Sequence, residues 1–321
     1  MSIKFDNTPK RILVVGDIML DCYLFTTCER ISPEAPVPVA WVNKEKNLLG
    51  GAGNVVKNLY SFGANIDVLG VIGKDEAGSK IRNIIEKIGV DTSNLIVDQS
   101  RKTTKKTRVI ASNQQIIRID RETTEVITAE VYSQLLAKFK ILIETVDLVL
   151  FSDYLKGVLT KEILSEFISI AKKHNNVMIV DPKGADFSKY NGVSIIKPNR
   201  SEAELASGVK INSNEDTKHA MEIIKNHTNA KQIIITLSEK GLAILDDKFT
   251  IIPTQASEVY DVSGAGDTVL ASLGLCLANG NSIIDSCIFA NHAAAIVISK
   301  IGTASTTIEE VINHINNGTH E

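Results

Sequence analysis

The chain has 321 residues, 44% of them hydrophobic and 23% charged, with a formal net charge of −3. That length fits one large α/β domain or two smaller ones, and the composition is that of an ordinary globular protein. The slight acidity and only 5% aromatics argue against a nucleic-acid surface, an anionic-membrane surface or a base-stacking platform. Neither the polar start, Met1 to Lys10, nor the short apolar run Ile12 to Val15 reads as a signal peptide, and no stretch approaches the roughly 20 apolar residues of a membrane span. The four cysteines form no CxxC pair, and Cys276 and Cys287 fall in apolar helical runs as core thiols, so a reducing cytoplasm is expected.

Arg11 to Gly16 is a continuous apolar run that predicts a buried parallel strand, with Asp17 and Asp21 at or past its carboxyl end. Residues 22–48 break the pattern. Pro33, Pro36 and Pro38 exclude a helix and a central strand, so a loop with short strands is expected, exposing Val37, Val39 and Trp41. Gly50 to Asn54 opens a helix that ends at Gly63; these glycines form either a tight turn or a place where a ligand approaches the backbone. Strand 66–72, helix 76–88 and strand 95–97 follow. The basic run Lys102 to Arg108 leads into two β-rich pieces, 108–111 and 116–119, with Ser112-Asn113 as a hairpin turn. Together with the region around Val37 to Val42 they would form a small lid spanning 22–48 and 100–121.

From 130 onward, strands at 148–151, 177–180, 194–196 and 233–236 alternate with helices at 130–143, 161–173, 201–207 and 215–227. A hairpin of 242–245 and 250–252 follows, and helices 266–279, 282–299 and 307–316 finish the chain. This alternation predicts an α/β fold built on a doubly wound, mostly parallel sheet. In such sheets ligands bind beyond the carboxyl ends of the strands. Asp17, Asp153, Asp181 with Lys183, Lys197 with Asn199, and Thr236 with Ser238 all stand there, next to apolar runs.

The stretch Val259 to Asp267 places Gly264, Ala265 and Gly266 directly before an apolar helix. Unpaired N–H groups and the positive end of the helix dipole would then converge on one point, which attracts phosphate. Asp267 at that point is either a helix-capping residue or a base that takes a proton from a hydroxyl attacking the phosphate. Asn199 and Glu202, three apart, are either a capping pair or groups that order phosphates and Mg²⁺ waters. Lys156 is either a solvated loop lysine or a point-charge ligand for an anionic substrate. There is no GxxxxGK[ST] and no GxGxxG after the first strand, and the six histidines do not cluster; His219, His227, His314 and His320 are expected on polar faces or ends.

Assembled in this order, the motifs Gly50-Gly-Ala-Gly-Asn54, Asn199-x-x-Glu202 and Asp261-Val-Ser-Gly-Ala-Gly-Asp267 resemble the ribokinase-like (PfkB) carbohydrate kinases over essentially the whole chain. The resemblance implies a single ribokinase-like αβα sandwich over residues 1–321 with a β lid, ATP as phosphoryl donor, Mg²⁺, and often a monovalent cation such as K⁺. It makes Asp267 the base and Gly264, Ala265 and Gly266 the anion hole. Asp17, Gly51, Asn54 and Lys156 would bind the sugar, with Arg108, Arg118 and Lys105 at a substrate phosphate or at lid closure. Asn199 and Glu202 would serve phosphates and Mg²⁺, and Asp261 the monovalent cation. Thr236, Ser238, Gly241 and Asn291 would surround the nucleotide. Lids in this family often pair, which implies a homodimer.

Within the family, Ile31-Ser-Pro-Glu-Ala-Pro-Val-Pro38, Ser152-Asp-Tyr-Leu-Lys-Gly157 and Lys197-Pro-Asn-Arg200 are similar to the kinase part of the bifunctional heptose-phosphate kinase/adenylyltransferases of lipopolysaccharide core synthesis. That implies phosphorylation at C1 of D-glycero-D-manno-heptose 7-phosphate. The sequence departs from the pattern at Leu155, where Gly is usual, and at Gly53, where Ala is usual, both near the sugar. No HxGH-type nucleotidyltransferase segment is present, so a kinase-only protein or an excised domain is expected. The alternatives are another kinase of this type, acting on a fructose phosphate or a nucleoside, and a catalytically inactive ligand sensor.

Overall fold

The computed structural model describes residues 3–112, 114–256, 259, 261–300 and 304–318. Strand β1 (Arg11–Gly16) is the apolar run RILVVG, buried from its second residue on because a helix layer covers each face. It sits inside a nine-stranded sheet whose other members are β4 (Asn65–Gly73), β5 (Leu95–Asp98), β8 (Leu148–Ser152), β9 (Val177–Asp181), β10 (Ile195–Ile196), β11 (Gln232–Thr236), β12 (Leu242–Leu245) and β13 (Phe249–Ile252). The order is β13-β12-β11-β10-β9-β8-β1-β4-β5. Pairing is parallel from β11 through β5, and β12 and β13 add an antiparallel edge.

Helices α3 (Ala129–Leu142), α4 (Lys161–Lys173), α5 (Arg200–Ser207) and α6 (Asn214–Thr228) share one core with one face of this sheet. On the other face lie α1 (Ala52–Ser61), α2 (Glu76–Lys87), α7 (Ala265–Ala278), α8 (Ile283–Ile298) and α9 (Ile308–Gly318). The expected αβα sandwich is therefore present. The apolar runs of α7 and α8 are buried on nearly all sides, α7 between the sheet, α1 and α8, which is why neither shows a polar stripe. Cys276 and Cys287 are buried there as free thiols. Among the described residues no helix is long and apolar enough to cross a membrane.

The lid departs from expectation. Residues 22–48 are not a loop with short strands but most of two 14-residue strands, β2 (Ile18–Ile31) and β3 (Pro38–Gly51). Pro33 and Pro36 lie in the connecting tip and Pro38 is the first residue of β3, so proline costs no ladder hydrogen bond. β6 (Thr104–Ala111) and β7 (Gln114–Arg121) complete a four-stranded sheet in the order β3-β2-β6-β7. The second hairpin therefore pairs with β2, not with the 37–42 segment. Asn113, in its turn, lies outside the described residues. Trp41 is 71% exposed, and Val37 and Val42 are exposed as well.

His314 is not on a polar face. Its Nδ1 lies 2.7 Å from Nδ1 of His292, in the seam between α8 and α9. The expected position of His320 lies outside the described residues.

Candidate active site

The carboxyl ends of five neighbouring strands make a continuous row. Asp17 N–H donates to Ser152 O, Asp153 N–H to Asp181 O, Lys197 N–H to Val180 O, and Thr236 N–H to Pro198 O. Asp181 and Thr236 are the last residues of their strands and Asp17, Asp153 and Lys197 lie one residue past theirs, so the polar side chains stand at the same edge. All five strand-end positions singled out in the sequence meet there.

β1 passes into β2 with only Asp17 between them, and β3 passes directly into α1. Gly51 at that second junction has φ +56°, and a Cβ there would come 2.5 Å from Asp17 O, so only glycine lets the chain turn so close to the Asp17 backbone. The Ala52 N–H then donates to Asp17 O. This junction brings Asp17 and Asn54 together.

Asp17 is buried. Its Oδ2 accepts the N–H groups of Tyr154 (2.7 Å) and Lys156 (3.1 Å), while Oδ1 is buried with no partner. Burial, reinforced by Asp153, pushes its carboxyl up to about 6, against those two N–H donors. Lys156 turns its ammonium to Glu122, 2.8 Å away.

Asp267 stands in the first turn of α7 and is 5% exposed. Gly264 precedes the helix with φ +82°, a left-handed conformation, and no side chain caps the helix. The N–H groups of Gly266 and Asp267 have no acceptor within the helix, since its first closing bond is Thr268 N–H to Gly264 O. They are available to an anion, whereas the N–H of Ala265, expected in the anion hole, already donates to Val262 O. Asp267 is not acting as a cap: Oδ2 accepts Asn54 Nδ2–H at 2.8 Å and Oδ1 accepts the Tyr154 hydroxyl at 2.9 Å. Burial pushes its carboxyl up to about 7, with Asp181 adding to the rise and Asn54, Tyr154 and Lys197 opposing it.

In front of Gly266 lies a cavity of about 120 Å³ lined by Tyr154, Asp181, Lys183, Lys197, Asn199 and Glu202 among others. Lys197, only 2% exposed, pairs with Asp181 at 3.0 Å. Asn199 and Glu202 do form the capping box foreseen as the simpler reading: Asn199 Oδ1 accepts Glu202 N–H and Glu202 Oε2 accepts Asn199 N–H, both at 2.9 Å. Glu202 Oε1 is paired with Lys183. The two readings are compatible, because the box leaves both side chains on the cavity wall.

Adjoining it is a cleft of about 500 Å³. Thr236, Ser238, Gly241 and Asn291, the four expected nucleotide neighbours, line it together with Asn199 and Gly266, and Val269, Ala295 and Ile298 give it an apolar wall. Asn291 Nδ2 donates to Pro253 O at 2.6 Å. Asp261 lies on the approach to Gly264 and its Oδ1 accepts Ser263 N–H at 2.8 Å.

The lid contributes one face to the edge. Arg108 pairs with Asp21 and lies 5.2 Å over the Tyr23 ring. Arg118, half exposed on β7, pairs with Asp120 at 2.9 Å rather than reaching the strand-end row. Lys105 does not belong with them: strand alternation turns it to the opposite face, beside Cys22 and Glu45. Lys106 is on the face with Arg108, 3.3 Å from Asp120 and 3.9 Å from the same Glu122 that holds Lys156.

The pattern of the pfkB family carbohydrate kinases matches residues 9–310. Among curated relatives, the Bifunctional protein HldE of a Nitratiruptor species is 48% identical over 301 residues, 94% of this chain and 64% of that one. The Helicobacter hepaticus protein of the same name is 46% identical over 311 residues, 97% of this chain and 64% of that one. The chain thus spans somewhat under two thirds of these relatives. Two solved structures share the fold: Arabidopsis thaliana ribokinase complexed with ribose and ATP (TM-score 0.77, 19% identity, covering 96% of this chain and 99% of that one) and phosphofructokinase-2 from Escherichia coli in complex with potassium (0.81, 18%, 97% and 100%). The sandwich with its lid is the ribokinase-like fold, and the chain belongs to the pfkB family of carbohydrate kinases, phosphotransferases with an alcohol group as acceptor.

Proposed function

We propose that the chain transfers the γ-phosphoryl group of ATP to the C1 hydroxyl of D-glycero-D-manno-heptose 7-phosphate, giving the 1,7-bisphosphate for lipopolysaccharide core (ADP-heptose) synthesis in the cytoplasm. The observation that carries this reading is Asp267: a buried carboxyl in the uncapped first turn of α7, with the unpartnered Asp17 Oδ1 on the same edge and the adjoining cleft on Gly266.

The sugar hydroxyls would hydrogen-bond to Asp17 and Asn54, whose buried Oδ1 atoms both lack partners, along the Gly51 backbone. Asp267 accepts the C1 hydroxyl proton, and the freed oxygen attacks the γ-phosphorus. The bond to the β–γ bridging oxygen breaks, and ADP leaves with the electron pair. The N–H groups of Gly266 and Asp267 hold the phosphoryl oxygens as charge spreads over them. Lys183 and Lys197 supply positive charge at the same cavity. The acidic and amide oxygens of Glu202 and Asn199 on that wall suit a hydrated Mg²⁺, which when bound would neutralise phosphate charge. Asp261 is the candidate neighbour of a monovalent cation.

The 7-phosphate would meet Lys106, Arg108, Lys156 and, on closure, Arg118, each held now by Asp21, Asp120 or Glu122. Closing the lid would exclude water and limit futile ATP hydrolysis. The seven-carbon substrate rests on the identity with the HldE proteins and on the Ile31 to Pro38 run. Exposed Val37, Trp41 and Val42 on the lid support a homodimer through that sheet, with neither nucleic acid nor membrane as partner.

The test is ADP release with a panel of sugar phosphates. Heptose 7-phosphate should be turned over best, and Asp267→Asn should fall by roughly 10²- to 10⁴-fold while still binding both substrates. Turnover of fructose 6-phosphate alone would overturn the sugar. Single-turnover transfer by Asp267→Asn at the wild-type rate would overturn the base.

A further inference from the structure

Among the described residues, Tyr154 is the one that touches both Asp17 and Asp267. Its backbone N–H donates to Asp17 Oδ2 and its hydroxyl to Asp267 Oδ1, 113 positions away in sequence. The turn that carries it is locked on both sides. Asp153 accepts the Leu155 N–H (2.8 Å) and the Tyr190 hydroxyl (2.7 Å), Lys156 N–H returns to Asp17, and Leu155 adopts φ +56°. The ring also walls the cavity in front of Gly266. A tyrosine held this way has little freedom to be anything other than a fixed donor.

We propose that Tyr154 is a positioning residue for the base: its hydroxyl fixes the rotation of the Asp267 carboxylate and favours its ionised form. This rests on the kinase reading above. A carboxylate held at both oxygens, by Asn54 and by Tyr154, cannot swing its free lone pairs away from the acceptor hydroxyl. Each oxygen keeps one lone pair for the incoming proton.

The charges facing Asp267 come from several elements. Asp181 at the end of β9 disfavours its ionisation, and burial does so more strongly. Lys197 beyond β10, Asn54 on α1 and the Tyr154 hydroxyl favour it. The phenol itself is pushed well above its ordinary value by burial and by Asp267, Asp181 and Asp21, so it remains a donor wherever the enzyme works. Tyr154 is thus a neutral donor that opposes the burial cost and, unlike Lys197, is not engaged by Asp181.

Two measurements test this with Tyr154→Phe. The first follows the Asp267 carboxyl by ¹³C NMR in the substrate-free protein, assigned by its absence in Asp267→Asn; its titration midpoint should move up by about one pH unit. The second is the pH profile of kcat/KM with ATP and heptose 7-phosphate. Its acid limb should move up by the same amount, about a tenfold loss near pH 6 and a smaller loss near pH 9. An unmoved midpoint overturns the proposal, as does a loss of activity that is uniform across pH. If instead Asp267→Asn keeps its turnover, or heptose 7-phosphate is not phosphorylated, the kinase reading fails, and the NMR titration alone then decides whether Tyr154 controls Asp267.

Discussion

Asp267 is a carboxyl placed where burial opposes its charge, and this has a consequence for stability as well as for chemistry. Its group sits near 3.8 when the chain is unfolded and at about 7 when folded. Between those values the folded chain holds a proton that the unfolded chain has released. Stability from this group is therefore complete below about pH 4 and is lost as pH rises through 7, by about 4 kcal/mol in all. Asp267→Asn removes that loss. The new amide can keep accepting from Tyr154, and Asn54, whose buried Oδ1 has no partner, can rotate to accept its N–H. Calorimetry should therefore find the variant melting several degrees above wild type at pH 8, with the gap closing toward pH 4. A constant offset at all pH values would show that the carboxyl is not strained by burial. At this scale the sequence is legible where placement is local: Asp267, Asn199 with Glu202, and Asp17 stand beside their own strand ends or glycine turns. It missed Tyr154 because that contact joins residues 113 apart, and nothing in Ser152 to Gly157 says where the ring points. Lys197 had a visible signal, a lysine ending an apolar run, but its partner Asp181 comes from a neighbouring strand.

Among the elements, α7 was predicted almost to its ends because a glycine turn, an apolar run and Asn279-Gly280 bracket it. The reason for its second glycine comes from the structure. A Cβ on Gly266 would meet nothing closer than 3.9 Å, so the fold itself does not require glycine there. The space in front is the cavity proposed to take the transferring phosphoryl group. Gly266→Ala should leave the melting temperature unchanged or raise it slightly, since Ala favours a helix by about 1 kcal/mol. It should nonetheless lower turnover with ATP by roughly tenfold or more, by obstructing the approach to the N–H groups. A fully active, normally folded variant would remove the anion cradle from the mechanism. The lid strands were underestimated for the opposite reason. Three prolines in Ile31 to Pro38 reduce the reading to a loop with short strands, whereas the proline-rich part is only the tip between two long strands. The same misplacement of strand starts left the alternation unread and put Lys105, rather than Lys106, with Arg108.

Across the molecule, the alternation of strands and helices is enough to name the sandwich, because each buried parallel strand reads as one apolar run. Sheet order and the pairing of β6 with β2 are not in that pattern, since they are set by contacts between distant segments. That order is what gathers Asp17, Asp153, Asp181, Lys197 and Thr236 at one edge, where Tyr154 touches two elevated carboxyls, Asp17 at about 6 and Asp267 at about 7. Near neutrality the protein therefore carries protons that the proposed sugar complex would displace, since in that complex sugar hydroxyls would donate to an ionised Asp17. Sugar binding between about pH 6 and 7 should acidify the solution, and its calorimetric heat should differ between phosphate and Tris in proportion to their heats of ionisation. A heat independent of the buffer would mean that both carboxylates are already bare. Where it does depend on the buffer, the slope counts the protons, and the protein reports its own charge state to the medium around it.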